Sequence, residues 1–424
     1  MNKNLALTPP MGWNSWDCYG ASVCEREVRG NAGYMAEKLK KFGWEYIVVD
    51  IQWYEPTADS TQYHPYAHLD MDGYGRLIPS ANRFPCAKDG KGFAKLADYV
   101  HSLGLKFGIH ILRGIPRQAV KANTPVLGSD KHAADIANIN SVCSWNTDMY
   151  GIDASKEGAQ EYYNSIINMY AGWGIDFIKV DDICSPYSAG EVELVQNAIS
   201  NCGRDIVLSL SPGPAPLEFA EHLKAHANMW RISGDFWDNW EQLYKQFKLL
   251  ADWNEHMGPG RWPDADMLPL GHICLREASF GGKGKWSGFT KDEQVTLMSL
   301  WCIARSPLMF GGEMTHNDKW TLDLITNEEV LSILKNSNSN RQLYRKDDKV
   351  VWTAAGDNDE IYVALFNLNE SVQDISIKFS DLGLHGEYML RNLWSHQNSG
   401  MVNSDVRFEF KPHSSKLFKL TKIK

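Results

Sequence analysis

The 424-residue sequence predicts a (β/α)8 barrel followed by a C-terminal antiparallel β-sandwich. A unit of helix, glycine and β-rich run recurs along the first three quarters, and about eight such runs can be counted. Beyond Asn336-Ser337-Asn338-Ser339-Asn340 the apolar spacing changes to period two. This polar stretch sets the expected boundary: a catalytic barrel over residues 1–335 and a sandwich over 341–424.

Met11-Gly12-Trp13 reads as a short first strand. Val28, Ala32, Met35, Leu39 and Phe42 follow helical spacing, Gly43 sits where a C-terminal cap belongs, and Trp44 to Val49 reads as a strand running into Asp50. Phe93, Leu96, Ala97, Val100 and Leu103 repeat the pattern, stopped by Gly104 before Lys106 to Ile111. A third helix, Glu157 to Trp173, stops at Gly174 before a strand from Asp176 to Asp181. Asp205–Ser211, Asn228–Ser233, Arg261–Asp264 and the apolar stretch Leu300–Phe310 complete the count. Strands apolar on both faces and alternating with helices belong to a covered parallel sheet. A doubly wound open sheet is the alternative, although no G-x-G-x-x-G follows the first strand. Past the boundary, Lys349–Thr353, Glu360–Phe366, Gln373–Phe379, Glu387–Leu390 and Val406–Phe410 alternate apolar and polar residues between Gly, Asn and Asp turns.

Lys+Arg 43 against Asp+Glu 52 gives a net charge of −9, which disfavours nucleic acid and anionic membrane surfaces as partners. No apolar run reaches the ~18 residues of a membrane span. Met1 to Pro10 lacks a basic segment followed by an apolar one, so the expectation is a cytoplasmic protein, or a secreted one whose signal has been removed. The eight cysteines form no C-x-x-C pair, and there is no H-x-H or H-E-x-x-H, so no metal is expected. The 16 tryptophans suit the flat apolar faces of sugar rings, and equally a core.

Four segments can carry chemistry. Lys179-Val180-Asp181-Asp182 ends a strand in carboxylates, and an Asp there can also simply cap the next helix. Trp230-Arg231-Ile232-Ser233-Gly234-Asp235 breaks from a β-like run into acid, as a surface turn also would. Gly258 to Met267 delivers Asp264 and Asp266 two residues apart, on one side of an extended chain. Met11-Gly12-Trp13-Asn14-Ser15-Trp16-Asp17 opens the barrel with aromatics.

In this order the four resemble glycoside hydrolase family 27, the α-galactosidase and α-N-acetylgalactosaminidase family, from about Pro9 to the C-terminus. Met-Gly-Trp-Asn-Ser-Trp is similar to its opening motif, Lys179-Val180-Asp181 to its nucleophile motif, and Arg231 through Asp235 to its acid/base motif. Trp262 to Met267 resembles its Trp-Asn-Asp-Pro-Asp-Met, and Trp301 through Phe310 its last barrel strand. The resemblance implies a cofactor-free retaining exo-glycosidase acting on a terminal galacto-configured sugar, α-galactosidase-like, with Asp181 as nucleophile and Asp235 as acid/base. It further implies that Lys179 and Arg231 keep Asp181 ionised and bind hydroxyls, and that Asp235 occupies a less solvated setting that retains its proton. Trp16 would stack on the pyranose, and Asp50, His110, Asp264 and Asp266 would join the sugar contacts.

The sequence also departs from the family. Asp-Asp-x-Trp, whose carboxylates grip the 4- and 6-hydroxyls, is here Asp50-Ile51-Gln52-Trp53, which opens the way to a β-L-arabinopyranoside lacking the 6-hydroxymethyl group. The usual third-strand Tyr is His110, and Cys-Glu-Trp after the fifth strand is Leu210-Ser211-Pro212. Ser211 resembles the N-acetylgalactosaminidase branch and implies room for a 2-acetamido group. Cys143 and Cys184 lie where the family often has a disulfide, with Cys184 one residue further from the nucleophile than usual. The competing readings are a sugar-binding protein on a decayed scaffold, against which both carboxylates count, and a metal-dependent barrel hydrolase.

Overall fold

A computed structural model describes residues 5–423. Eight parallel strands form one curled sheet: β1 Met11–Asn14, β2 Tyr46–Val49, β3 Lys106–Leu112, β4 Phe177–Asp181, β5 Val207–Leu210, β6 Met229–Arg231, β7 Trp262–Asp264 and β8 Leu308–Phe310. They pair in the order β7-β6-β5-β4-β3-β2-β1-β8. Just past β7, Leu268 bridges Phe310 in parallel, and its N–H donates to the Met309 carbonyl at 2.8 Å, which closes the barrel. Among the helices that follow the strands, the main covering ones are α1 Glu25–Tyr34, α2 Ala94–Ser102, α3 Ala159–Gly172, α4 Ala189–Asn201, α5 Ala220–His226, α6 Trp240–Trp253, α7 Lys291–Ala304 and α8 Glu328–Asn336. Gly43, at φ +97°, takes the left-handed turn that leads into β2.

Strand alternation sorts the side chains into two layers. Ile47, Val49, Ile178 and Val180 pack outward against the helices. Tyr46, Val48, Phe177, Val207, Met229, Trp262 and Met309 fill the barrel interior. Each large side chain so buried contributes on the order of 1.5–3 kcal/mol. Gly12 permits the close approach of β1 to β2, since a Cβ there would lie 2.6 Å from the Cβ and O of Tyr46. The inward register of β2, β4, β6 and β7, continued upward, sends Asp50, Lys179, Asp181, Arg231, Asp264 and Asp266 to one end of the barrel.

The apolar stretch Leu300–Phe310 is not one strand. Its first part, through Ala304, belongs to α7, and only Leu308–Phe310 is β8. Nearly all of α7 is buried, and an apolar run buried on all sides lacks the periodicity that separates helix from strand.

The C-terminal unit pairs a six-stranded antiparallel sheet with a two-stranded one. Its strands are β9 Asn338–Lys346, β10 Lys349–Ala355, β11 Ile361–Asn367, β12 Gln373–Ile377, β13 Tyr388–Asn392, β14 Gln397–Val402, β15 Val406–Phe410 and β16 Ser415–Lys422. The large sheet runs β9-β10-β11-β16-β13-β14, and β12 pairs with β15. Val363, Leu365, Ile375, Phe410 and Leu420 pack between the two sheets, while Trp352, Ala364 and Phe366 on the other face join the barrel core. No helix among the described residues is long and apolar enough to cross a membrane.

Candidate active site

The strand ends surround a cavity of about 190 Å³. Of the residues singled out in the sequence, Trp16, Asp50, Lys179, Asp181, Arg231, Asp235 and Asp266 line it. His110, Ser211 and Asp264 lie beneath it and are buried. Ser211 and Asp264 instead border a void of about 20 Å³, and the cavity wall at the end of β5 is Pro212.

Asp181 ends β4. His110 Nε2 lies 2.9 Å from its Oδ2, and the Asp182 N–H donates to its Oδ1 at 2.9 Å. Burial alone would raise its pKa, but the His110 bond and charge, the Lys179 ammonium and the Asp182 amide outweigh it and hold the carboxyl well below the usual range. Asp182 does not share the cavity: Arg113 clamps it at 3.1 Å and binds Glu191 at 2.8 Å.

Lys179 Nζ donates to Asp50 Oδ2 at 2.9 Å. Asn14 Nδ2 donates to the same oxygen at 2.8 Å, and the Ile51 N–H to Oδ1 at 2.8 Å. Although mostly shielded from solvent, Lys179 stays protonated through the charges of Asp50 and Asp181. Against its own burial, Asp50 stays ionised through Lys179 and His110. Ile51 itself is buried just past the end of β2 and adds no polar atom to the cavity.

Arg231 Nη2 bridges Asp266 Oδ2 at 2.7 Å and Asp235 Oδ1 at 3.1 Å. The less solvated setting expected for Asp235 is not what the fold provides, because its side chain is 62% exposed and reaches over the cavity rim from the loop after β6. Burial, with Asp235 and Asp264 nearby, pushes Asp266 up to about 7 in spite of Arg231.

Cys143 and Cys184 are free thiols, so the implied bridge is absent. Cys184 packs into the hydrophobic core, whereas the Cys143 thiol lies beside the Asp182 carboxylate.

Sequence reasoning missed the other walls. Tyr63, from the long loop after β2, stacks on Trp16 with centroids 5.9 Å apart and meets Trp145 at 5.7 Å. Phe236 and Trp237 flank Asp235. Asp17 also lines the cavity and is buried, with its Oδ2 unpaired. Asp17 was visible in the sequence beside Trp16; nothing in the local pattern marks Tyr63 or Trp145. Trp13, Trp44, Trp53, Trp230, Trp262, Trp301 and Trp352 are fully buried, so the tryptophan excess serves both core and cavity.

The barrel and sandwich are matched by two family models: Alpha galactosidase A over residues 8–157 and 151–336, and the Alpha galactosidase C-terminal beta sandwich domain over 346–420. A glycoside hydrolase family 27 β-L-arabinopyranosidase from Geobacillus stearothermophilus, solved in complex with arabinose, is 56% identical over all of both chains, with a TM-score of 0.98. A Bacillus halodurans protein described as an α-N-acetylgalactosaminidase is 54% identical over 99% of this chain and 98% of its own, with a TM-score of 0.90. Alpha-galactosidase 2 of Arabidopsis thaliana is 28% identical over 100% of this chain and 92% of its own. A barrel whose mouth gathers carboxylates, cations and aromatic walls, with relatives of this kind along its whole length, is a glycoside hydrolase. The chain belongs to glycoside hydrolase family 27.

Proposed function

We propose that the chain is a retaining exo-glycosidase that prefers terminal β-L-arabinopyranosides and accepts α-galactosides as slower substrates. The observation that carries this reading is the end of β2, where Asp50 is the one carboxylate reaching the cavity and the adjacent Ile51 is apolar. A family member that grips both the 4- and the 6-hydroxyl uses two acids there. A pentopyranoside of galacto arrangement has no 6-hydroxymethyl group to grip. The similarity to the Geobacillus arabinopyranosidase supports the same choice.

In this reading Asp181 attacks the anomeric carbon. It suits the role because His110 and Lys179 keep it ionised. Asp235, on the rim and tethered by Arg231, protonates the leaving oxygen and then takes a proton from the incoming water. Its exposure fits a group that exchanges protons with solvent in the second step. Lys179 and Asp50 bind ring hydroxyls as a preformed pair, and Trp16 with Tyr63 covers the apolar face of the sugar. No step calls for a cofactor.

The test compares kcat/KM for p-nitrophenyl β-L-arabinopyranoside, α-D-galactopyranoside and α-N-acetylgalactosaminide. The arabinoside should be the best of the three. A higher value for either of the others rejects this choice of sugar.

A further inference from the structure

We propose that Glu193, His222 and His226 form a divalent-cation site, of the kind that takes Zn²⁺, on the outer helical layer away from the catalytic cavity. His222 and His226 stand four residues apart on α5, so their rings share one face, and Glu193 reaches across from α4. One ligand atom from each of the three lies within 4.8 Å of the other two. Two imidazoles and a carboxylate are a borderline-soft donor set that suits Zn²⁺, with water as the fourth ligand.

The hydrogen bonds around the rings prepare this arrangement. His226 Nδ1 lies 2.8 Å from the His222 carbonyl, an acceptor only, so Nδ1 carries the proton and Nε2 keeps its lone pair. His222 Nδ1 lies 2.6 Å from the Tyr187 hydroxyl, and its Nε2 lies 3.0 Å from Glu193 Oε1. Tyr187 can accept from an Nδ1–H as readily as donate to a bare Nδ1. Without a metal, Nε2–H can donate to Glu193 while Tyr187 donates to Nδ1; with a cation bound, the proton sits on Nδ1 and donates to Tyr187, which frees the Nε2 lone pair for the metal. Both rings then donate from Nδ1 to oxygen and present Nε2 outward, the outer-shell pattern of metal-bound histidines.

The two rings are stacked with centroids 4.1 Å apart. Binding draws the donors to about 3.3 Å from each other, the separation set by metal–ligand bonds of about 2.0–2.1 Å at a tetrahedral centre. Neither histidine is fully buried, and Glu193 is exposed, so side-chain rotation suffices. The site would pin α5 to α4 and, through Tyr187, to the loop that leaves Asp181. Its expected effect is on the stability of the barrel and not on the chemical step.

The full-length protein, stripped with EDTA and desalted, is titrated with ZnSO4 by calorimetry. It should bind one Zn²⁺ per chain at micromolar or tighter Kd, with a Tm raised by a few degrees and glycoside hydrolysis unchanged. His222→Ala and His226→Ala should each weaken that binding at least tenfold, and Tyr187→Phe less. Substituted Co²⁺ should give the visible absorption of a tetrahedral centre in the wild type, and lose it in the double histidine variant. The exposed pair His272 and His316, whose Nδ1 atoms lie 2.9 Å apart, is the control: His272→Ala should leave the measured site intact. Absence of stoichiometric binding by the wild type, or equal binding by the double variant His222→Ala/His226→Ala, overturns the proposal.

Discussion

His110 Nε2 sits 2.9 Å from Asp181 Oδ2, beneath the cavity and fully shielded from solvent. His110 and Asp181 lie on neighbouring strands, paired so that His110 stands level with Lys179 and two residues below Asp181. The imidazole touches the carboxylate and does not line the cavity, so in the proposed mechanism His110 acts as a positioning residue for Asp181.

Removing this bond should move the pH profile. Burial pushes the Asp181 pKa up and His110 is first among the groups that pull it down, so His110→Phe should raise it. The acidic limb of kcat/KM then shifts to higher pH, with activity falling more at pH 5 than at pH 7. A carboxyl depressed in the folded state stabilises the fold above its unfolded value near 3.9 and loses that contribution as pH falls, so the variant should also be less stable at neutral pH. His110→Gln, which can still donate, should restore part of both. An unshifted acidic limb in His110→Phe would show that Lys179 and the Asp182 amide suffice.

Asp181→Ala should abolish turnover of every glycoside, by on the order of 10⁴-fold or more, and azide should restore an inverted glycosyl azide. Asp235→Ala should spare aryl glycosides with good leaving groups, and azide should then give the retained product. Product anomers read by NMR decide the matter. Near wild-type rates for either variant on natural substrates would reassign the pair.

Ile51→Asp should raise the ratio of α-galactoside to β-L-arabinopyranoside kcat/KM by about tenfold or more, because it supplies an acceptor for the 6-hydroxyl. It should also lower Tm, since Ile51 is 1% exposed and a carboxylate there is desolvated. A lower Tm with an unchanged ratio would place the 6-hydroxyl contact elsewhere.

Asp17→Asn should become more stable relative to wild type as pH rises. Burial, then Asp266, Asp235 and Asp50, push the Asp17 carboxyl well above its ordinary value, with Lys179 opposing. A group raised in the folded state contributes stability below its unfolded value, near 3.9, and loses it as pH climbs toward the folded one. The amide does not titrate, so Tm of the variant minus Tm of wild type should grow between pH 4 and pH 8. A constant difference would show that Asp17 is ionised throughout and held by a partner such as Lys179.

Much of this architecture is written locally. Helical spacing over Val28 to Phe42, the stop at Gly43 and the β-rich run into Asp50 are consequences of nearest-neighbour sterics and of which face must avoid water, so one unit can be read without the others. Strand parity is equally local, and it already sends Asp50, Lys179, Asp181 and Arg231 inward and upward. Legibility fails where burial is complete, as at Trp301–Ala304, because a segment apolar on every side carries no period.

The sequence by itself determined the repeating βα units, the change to a sandwich, and the charged residues at the strand ends, all of which follow from periodicities of 3.6 and 2.0 residues. Tertiary structure alone decided that His110 braces Asp181, that Tyr63 and Trp145 leave their loops to wall the cavity beside Trp16, that Cys184 turns from Cys143 into the core, and that His222 and His226 meet Glu193. These are contacts between residues tens of positions apart or on separate helices, and their geometry is fixed by barrel closure and packing, which no short stretch of chain encodes.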